Sequence, residues 1–469
     1  MKILNNVKRS NAVRFGLCLA ASVIWCRQAR AEVELVDKDG WTFSFDGRIN
    51  AFLSGGFGDD FPKPTTDPNS PMTPTHFVMG GDGDPLTPAT GSPGTGRANV
   101  GWPQNYGQSD TSNKYLAIRV RSGMYGNVMG FGVGRKVSDD LTIKGYISIW
   151  STVESLGYDK WAPINAEARE GYFNVVGPWG TATVGRTLGW IGRMSWEIDT
   201  LYGHGYGVGL PCTDALGPAC GHIGTGALFP GYGANISYAT PSIGGLVLHA
   251  GLFDPVVFGT TASDWSHASI ARPEGALSFD RPLGGTARIK VEVEGLYQPI
   301  SRIGADAAGN PSKITDAVWG ASGGARVEAG PLRVGLSGFT GKGLGLFYAL
   351  QRSSAIEDQA PNKRELRMFT GFYGQGAVVF GRFQVGGGFG LSVVNQTAFD
   401  KIDTSQSTIH YQRGISAAAY YHATDSIVLG LDYFMFAAGW YGAPLAGGGK
   451  LAGETQVLNF VNAGMTYHW

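Results

Sequence analysis

The chain has 469 residues, of which 73 are Gly, 12% are aromatic and only 16% are charged. Gly at about twice its usual share disfavours long helices, and beyond the N-terminus no apolar run reaches the ~18 residues of a membrane helix. This composition predicts an all-β chain and excludes a polytopic helical membrane protein.

Residues 1–31 have the pattern of a secretory signal peptide. Basic side chains precede an apolar stretch at 15–25, and Ala29-Arg30-Ala31 forms a small-residue cleavage site. The whole chain has a formal net charge of zero, but residues 32–469 contain 31 basic and 37 acidic side chains, a net charge of −6. A negative balance disfavours nucleic acid as a partner, because binding to phosphates requires a basic face.

From Trp41 to the last residue, apolar and polar side chains alternate with a period of two. Successive side chains of a strand point to opposite faces, so each segment has one apolar and one polar face. The polar face carries charges, as at Arg288, Lys290, Glu292 and Glu294. Such charges need partners in a dry core but not in a water-filled lumen. Segments of about 10 such residues predict a transmembrane antiparallel β-barrel.

Short and long connections alternate along the chain. Seven short turns, such as 177–179, 281–284 and 424–426, interleave with eight long loops, and this count predicts about sixteen strands. Short turns on one side and long loops on the other are typical of outer-membrane barrels. We expect residues 32–469 to form one domain with a long external loop at 55–112.

Several basic side chains belong to the predicted inner face: Arg48, Arg119, Arg121, Lys144, Arg169, Arg288 and Lys290. They either line the conducting path and set its ion preference, as charged rings do in pores, or are solvated far from its narrowest point. Arg186 shares the apolar face with Ala182 and Val184. A charge on that face is costly at mid-membrane, so we expect Arg186 at a subunit contact or, alternatively, near a strand end.

Cys212 and Cys220 are the two cysteines beyond the signal segment. An even pair in an exported chain predicts a disulfide that closes a small loop. A Cys/His metal site with His204 and His222 is the alternative, although two thiols with seven residues between them make a poor site. We predict no metal and no other cofactor.

Two internal stretches and the C-terminus resemble a known family. The stretch 168–186, which begins Ala-Arg-Glu-Gly-Tyr-Phe and ends Thr-Val-Gly-Arg, resembles a motif of the general Gram-negative porins, and 235–241 looks like their following strand. The alternating C-terminal residues close on Tyr467 and Trp469. This end resembles the signal that outer-membrane barrels present to their assembly machinery, although porins more often end in Phe.

The resemblance implies a sixteen-stranded homotrimer in the outer membrane, with lipid and lipopolysaccharide around it. It further implies that the third external loop, here 191–232, folds into the lumen as a constriction. Acidic Glu197, Asp199 and Asp214 on that loop would face arginines on the opposite wall, and Arg169 matches one of these arginines. The arginine that usually precedes Leu-Gly-Phe in the second strand is missing here.

The predicted function is a non-enzymatic channel for passive diffusion of small hydrophilic solutes and ions. A substrate-specific channel for a sugar, an anion or an amino acid is the alternative, and an adhesin barrel is a weaker one. No Ser/His/Asp spacing supports a catalytic triad. The acidic balance favours cations and the wall arginines favour anions, so the sign of the selectivity stays open.

Overall fold

The structure is a computed structural model. It describes residues 33–59, 77–78, 114–124, 126–151, 153, 166–200, 223–258, 265–305, 308–346, 349–350, 358, 360, 363–403, 407–442, 444, 453 and 455–469. The predicted signal peptide, Asp214, Cys212, Cys220, and most of the loop 55–112 lie outside the described residues.

Nineteen strands and one short helix are present in the described part of the chain. The first ten elements are β1 (Val33–Lys38), β2 (Trp41–Asp59), β3 (Phe77–Val78), β4 (Lys114–Arg121), β5 (Asn127–Lys136), β6 (Thr142–Ser151), β7 (Ala166–Gly177), β8 (Gly180–Leu188), α1 (Arg193–Glu197) and β9 (Tyr232–Ala239). The others are β10 (Leu246–Phe253), β11 (Arg272–Gly284), β12 (Ala287–Ala305), β13 (Pro311–Ala329), β14 (Leu332–Lys342), β15 (Met368–Phe380), β16 (Phe383–Asn395), β17 (Ser407–His422), β18 (Ile427–Trp440) and β19 (Thr455–His468).

Sixteen antiparallel strands form the closed wall, as the sequence predicts. Both β4 and β5 pair with β2, so together they form one wall strand that is interrupted at 122–126. The barrel closes where β19 pairs with β2. β1 pairs with the start of β2, just beyond the residues of β2 that pair with β19. β3 pairs with β17 outside the main sheet.

The turns occur where the alternating pattern places them, with one shift. The expected turn at 281–284 is still strand, and the chain turns at 285–286. Gly284 and Gly285 have φ of 109° and 57° there, a conformation that favours Gly. The strand pair is therefore longer than the pattern alone indicates.

The outer surface of the barrel is apolar. Ile118 and Ile236, for example, are 71% and 67% exposed on the wall. A closed barrel pairs its backbone N–H and C=O groups between strands, and an apolar exterior fits it to hydrocarbon. The protein is therefore a multi-pass outer-membrane protein. Among the described residues, no helix is long and apolar enough to cross a membrane.

Aromatic rings gather at the rim that carries the short turns. The ring of Trp469 lies 5.7 Å from that of Phe45 and 5.6 Å from that of Tyr467. On the same rim Trp179 stacks on Tyr238 at 6.1 Å. These rings fit the aromatic girdle that barrels place at a membrane interface.

The inner surface differs from a uniformly polar lumen. Near the long loops, many inward side chains of β12–β19 are apolar and buried, as at Val318, Phe369 and Phe436. Loop residues cover them, and together they form an apolar cluster inside the barrel whose loop members include Leu228, Phe258, Trp265, Leu344 and Leu350. Apolar side chains replace polar ones here because the packed loops exclude water from this part of the wall.

Candidate functional site

The lumen wall carries two arginines around one tryptophan. The guanidinium carbons of Arg169 and Arg48 lie 4.7 Å and 5.3 Å from the centroid of the Trp150 ring. Arg48 is on β2, Trp150 on β6 and Arg169 on β7. Nε of Arg48 also donates to the carbonyl of Gly126 at 3.3 Å, and Nε of Arg169 is 2.9 Å from a carboxylate oxygen of Glu167.

A β-bulge brings Arg169 to this cluster. Ser148 pairs with Glu170 and the next residue, Ile149, pairs with Ala168, so Arg169 is the extra residue of its strand. A bulge re-aims the side chains around it. Strict alternation from the buried Glu170 would place Arg169 outside, whereas the bulge lets it reach Trp150.

Hydrogen bonds fix the acidic side chains of the same wall. Oγ of Ser148 donates to Oε2 of Glu170 at 3.0 Å, and Nε1 of Trp150 donates to Oγ of Ser148 at 2.9 Å. Oη of Tyr146 donates to Oδ1 of Asp46 at 3.0 Å. Ser148 and Tyr146 therefore fix the positions of Glu170 and Asp46 on the wall.

The other expected lumen residues occupy varied places. Arg121 is buried on β4, and the side chain of Arg119 lies outside the described part. Lys144 is exposed near the short-turn end of β6. Arg288 forms a two-pronged ion pair with Asp280 at 2.6 Å. Of the expected set, Arg48 and Arg169 contact the same side chain, Trp150.

The first part of the loop 191–232 lies against the inner wall. Oε1 of Glu294 accepts the backbone N–H of Met194 at 2.6 Å, and its Oε2 accepts that of Gly192 at 2.8 Å. Oε2 of Glu274 accepts the N–H of Trp190 at 2.8 Å. A carboxylate at the first amide groups of a helix satisfies donors that have no partner inside the helix. Inward residues of β11 and β12 thus hold the start of α1.

Basic side chains hold the other end of α1. Lys290 forms an ion pair with Glu197, and Nη1 of Arg326 donates to the carbonyl of Glu197 at 2.9 Å. Asp199 is buried beyond the helix. Glu197 thus contacts the adjacent wall strands β12 and β13. Lys290 is paired with the loop and does not face an open lumen.

Arg186 lies on the outer face of β8 and is exposed. Its Nε donates to the carbonyl of Arg169 at 3.1 Å, which ties an outward arginine to the strand that carries the lumen cluster. Among the described residues, no group of three His, Cys, Asp or Glu side chains is placed to hold a metal ion.

An aromatic row connects the loop to the wall, and the sequence did not reveal it. Trp196 of α1 lies 4.7 Å from Phe229, which lies 6.3 Å from Tyr232, and Tyr232 lies 6.4 Å from Trp150. The alternating pattern places Trp150 inward but gives no indication of its partners. Only tertiary folding brings both ends of the loop to this wall.

No protein-family model and no curated protein sequence matches the chain. Its fold is similar to solved barrels of the outer membrane. The outer membrane channel DcaP of Acinetobacter baumannii is 11% identical with a TM-score of 0.52, over 92% of this chain and 99% of that one. The anion-selective porin from Comamonas acidovorans is 12% identical with a TM-score of 0.52, over 92% and 100%. OmpF of Salmonella typhi, in a complex with daunomycin, is 11% identical with a TM-score of 0.50, over 92% and 99%.

Proposed function

We propose that this porin-like outer-membrane barrel forms a water-filled channel for passive diffusion of small hydrophilic solutes and ions. The observation that carries the proposal is the charged inner wall around Arg48 and Arg169, inside a closed barrel of sixteen strands. The side chain of Arg169 is 24% exposed although it lies within the wall cluster. Barrels of this strand number are wide enough to leave an aqueous channel. Transport of this kind involves no chemical conversion.

The loop 191–232 is proposed to narrow this channel. Its first residues bind to the inner faces of β11 to β14, and Gln375 and Gln384 donate to the carbonyls of Ile198 and Thr200 further along. A loop held by six neighbouring strands occupies lumen space that solutes would otherwise use. Selectivity then depends on the charge and diameter of the part of the lumen that the loop leaves open.

The channel is proposed to assemble as a homotrimer, with lipid and lipopolysaccharide around it. Arg186 supports a subunit contact because a guanidinium on the outer face of a barrel strand is costly against hydrocarbon. Tyr467 and Trp469, at the closing strand, are proposed to present the signal that the barrel assembly machinery recognises.

A substrate-specific channel is the second candidate function. It is supported by the apolar cluster inside the barrel, which fills the lumen near the long loops of β12–β19. A partly filled lumen restricts the solutes that pass more strongly than an open one. The solute would then pass along the side of β2 to β7, where the arginines lie.

Single-channel recording tests the proposed function. We expect refolded protein in a planar bilayer to give conductance steps that arrive in threes, and liposomes to release small sugars but not large ones. Steps that saturate with one solute class would favour the substrate-specific channel. Folded protein without any conductance would contradict both candidates.

A further inference from the structure

A cavity of about 230 Å³ lies at the long-loop ends of β8 to β11. Both ends of the loop 191–232 line it, together with residues 254–256 and 349–350 and the start of β11. Drug-sized ligands occupy pockets of about 300–1,000 Å³, so this cavity suits a smaller solute.

The lining of the cavity combines four charged side chains with an apolar wall. The charged residues are Arg186, Asp254, Arg272 and Glu274. The rest of the lining is mostly apolar or glycine, as at Ile191, Val256 and Leu350. Apolar walls with a few convergent polar groups are typical of small-molecule sites. Because the four charges sum to zero, the lining matches a solute that carries one positive group, one negative group and a small apolar body.

Arg272 brings a buried guanidinium group to the cavity. The residue is only 5% exposed. Its Nε is 2.8 Å from Oε1 of Glu274, and its Nη1 donates to the carbonyl of Asp254 at 3.2 Å. Its Nη2 lies near Gly233, where an added Cβ would be 3.8 Å from it. Since Gly233 has no side chain, Nη2 can reach a carboxylate inside the cavity.

The carboxylate of Asp254 lies beside this guanidinium group. The backbone carbonyl of Asp254 already binds Arg272, so the two opposite charges are near each other. Among the described residues, the Asp254 carboxylate has neither an ion-pair nor a hydrogen-bond partner. Glu274, in contrast, is engaged on both oxygens, because its Oε2 accepts the N–H of Trp190 at 2.8 Å. Asp254 is therefore the acidic group that can bind an ammonium group.

We propose that this cavity binds an α-amino acid with a small apolar side chain. The carboxylate of the ligand accepts from Nη2 of Arg272, and its ammonium group pairs with Asp254. Its side chain packs against Val256 and Leu350. The neighbouring opposite charges of the site match an amino group and a carboxylate that are attached to one carbon. The site goes beyond the proposed channel function, since binding does not require conduction.

Equilibrium dialysis of the folded barrel in detergent with radiolabelled L-valine tests the site. We expect saturable binding. Isovalerate, which lacks the amino group, and isobutylamine, which lacks the carboxylate, should each compete about tenfold less well, as for the loss of one charged hydrogen bond. Asp254→Asn should weaken L-valine binding by a similar factor. Gly233→Val should abolish it, because the added side chain fills the space beside Nη2 of Arg272.

Asp280→Asn and Gly295→Val are the matched controls. Asp280 pairs with Arg288 and does not line the cavity. A Cβ at Gly295, on the outer face of β12, meets only the backbone oxygen of Gly320 at 3.5 Å. Both controls should bind L-valine with native affinity, and a gel that separates folded from unfolded barrel verifies the fold of every variant.

Three results would overturn the site in folded protein. They are a lack of saturable L-valine binding, isovalerate that competes as well as L-valine, and native affinity in either cavity variant. Conductance is measured separately on the same native barrels. Failure of the amino-acid site therefore leaves the proposed channel function intact, and barrels that bind L-valine without conducting would overturn the channel alone.

Discussion

Oε1 of Glu294, on the inner face of β12, accepts a hydrogen bond from the backbone N–H of Met194 at 2.6 Å. The contact joins residues 100 positions apart and fixes α1 to the wall. Oε2 of the same carboxylate accepts the N–H of Gly192. Two hydrogen bonds from loop amides to one buried carboxyl group make Glu294 an anchor for the start of the loop.

Glu294→Ala should release the loop. Each lost hydrogen bond costs about 1 kcal/mol, so the free energy that holds the loop against the wall falls. We expect noisier channels and faster cleavage near 193–197 by an added protease. Asp280→Ala is the control, because Asp280 faces inward on β11 but pairs with Arg288 and not with the loop. Equal effects of the two variants would contradict the anchor.

Lys290→Met should destabilise the loop through Glu197. The side chains of Lys290 and Glu197 are 12% and 7% exposed, and removing one partner of a buried ion pair typically costs about 3–5 kcal/mol. Adding Glu197→Gln removes the stranded charge and should recover much of the loss. Urea titration of the single and double variants measures the coupling. Additive losses would indicate that the two side chains do not act together.

The buried ion pair between Arg367 and Asp400 acts as a clip between two long loops, and it should weaken in acid. Nε and Nη2 of Arg367 donate to Asp400 at 2.8 and 2.6 Å. Burial alone raises the pKa of Asp400, but the hydrogen bonds and charge of Arg367 outweigh it and hold the pKa below its ordinary value of 3.8. A lowered pKa stabilises the clip fully above pH 3.8, and the contribution is lost as the pH falls from there through the folded-state pKa.

Hydrogen exchange of the loop amides near 343–350 and 396–403 measures this clip. Protection in the native protein should fall as the pH drops below 3.8, relative to the intrinsic exchange rate at each pH. Asp400→Asn cannot titrate, so its protection should be low throughout and lack this step. A parallel fall in both proteins would assign the acid response to another group.

Gly47→Ala should impair barrel closure. A Cβ at Gly47 would lie 2.4 Å from the ring of Trp469 and 2.6 Å from the backbone oxygen of Val128, and overpacking of this kind costs about 1–3 kcal/mol. Gly55→Ala, on the same face of β2, meets only the oxygen of Val461 at 3.8 Å. Refolding yield on a gel that separates folded from unfolded barrel should fall for the first variant only.

Arg186→Leu should test the subunit contact. If the guanidinium binds a neighbouring copy, its loss lowers the temperature at which oligomers dissociate in detergent. Arg413→Leu is the control, since Arg413 is also exposed on the outer face but lies on β17, near the ring of Tyr411 at 5.8 Å. Oligomers unchanged by Arg186→Leu would favour solvation at a strand end instead.

The alternating pattern predicted the wall because a two-residue period is dictated by lipid on one side and water or packed loops on the other. It did not predict the break at 122–126. There the side chain of Asn50 accepts the N–H of Gly123 at 2.7 Å and donates to the carbonyl of Gly126. The two glycines are a local signal for irregular backbone, but the side chain that stabilises it lies more than 70 residues away.

The candidate site was predicted in part. The inward direction of Arg48 and Arg169 was expected, whereas their common contact with Trp150 depends on a bulge that no residue pattern marks. The sequence does indicate the apolar interior, because residues 433–438 are apolar on both faces of β18. Such a run is typical of a strand covered on both sides.

The pairing of β19 with β2, which closes the barrel, affects the order in which the chain folds. Leu458 pairs with Gly58 and His468 with Arg48, so the pairing joins residues about 400 positions apart. Every other wall pairing joins strands that are neighbours along the chain, and the entropy lost on closing a loop grows with its length. Sheet growth can therefore proceed hairpin by hairpin, but the ring forms last. Until then β2 and β19 are open edges, available to pair with another polypeptide.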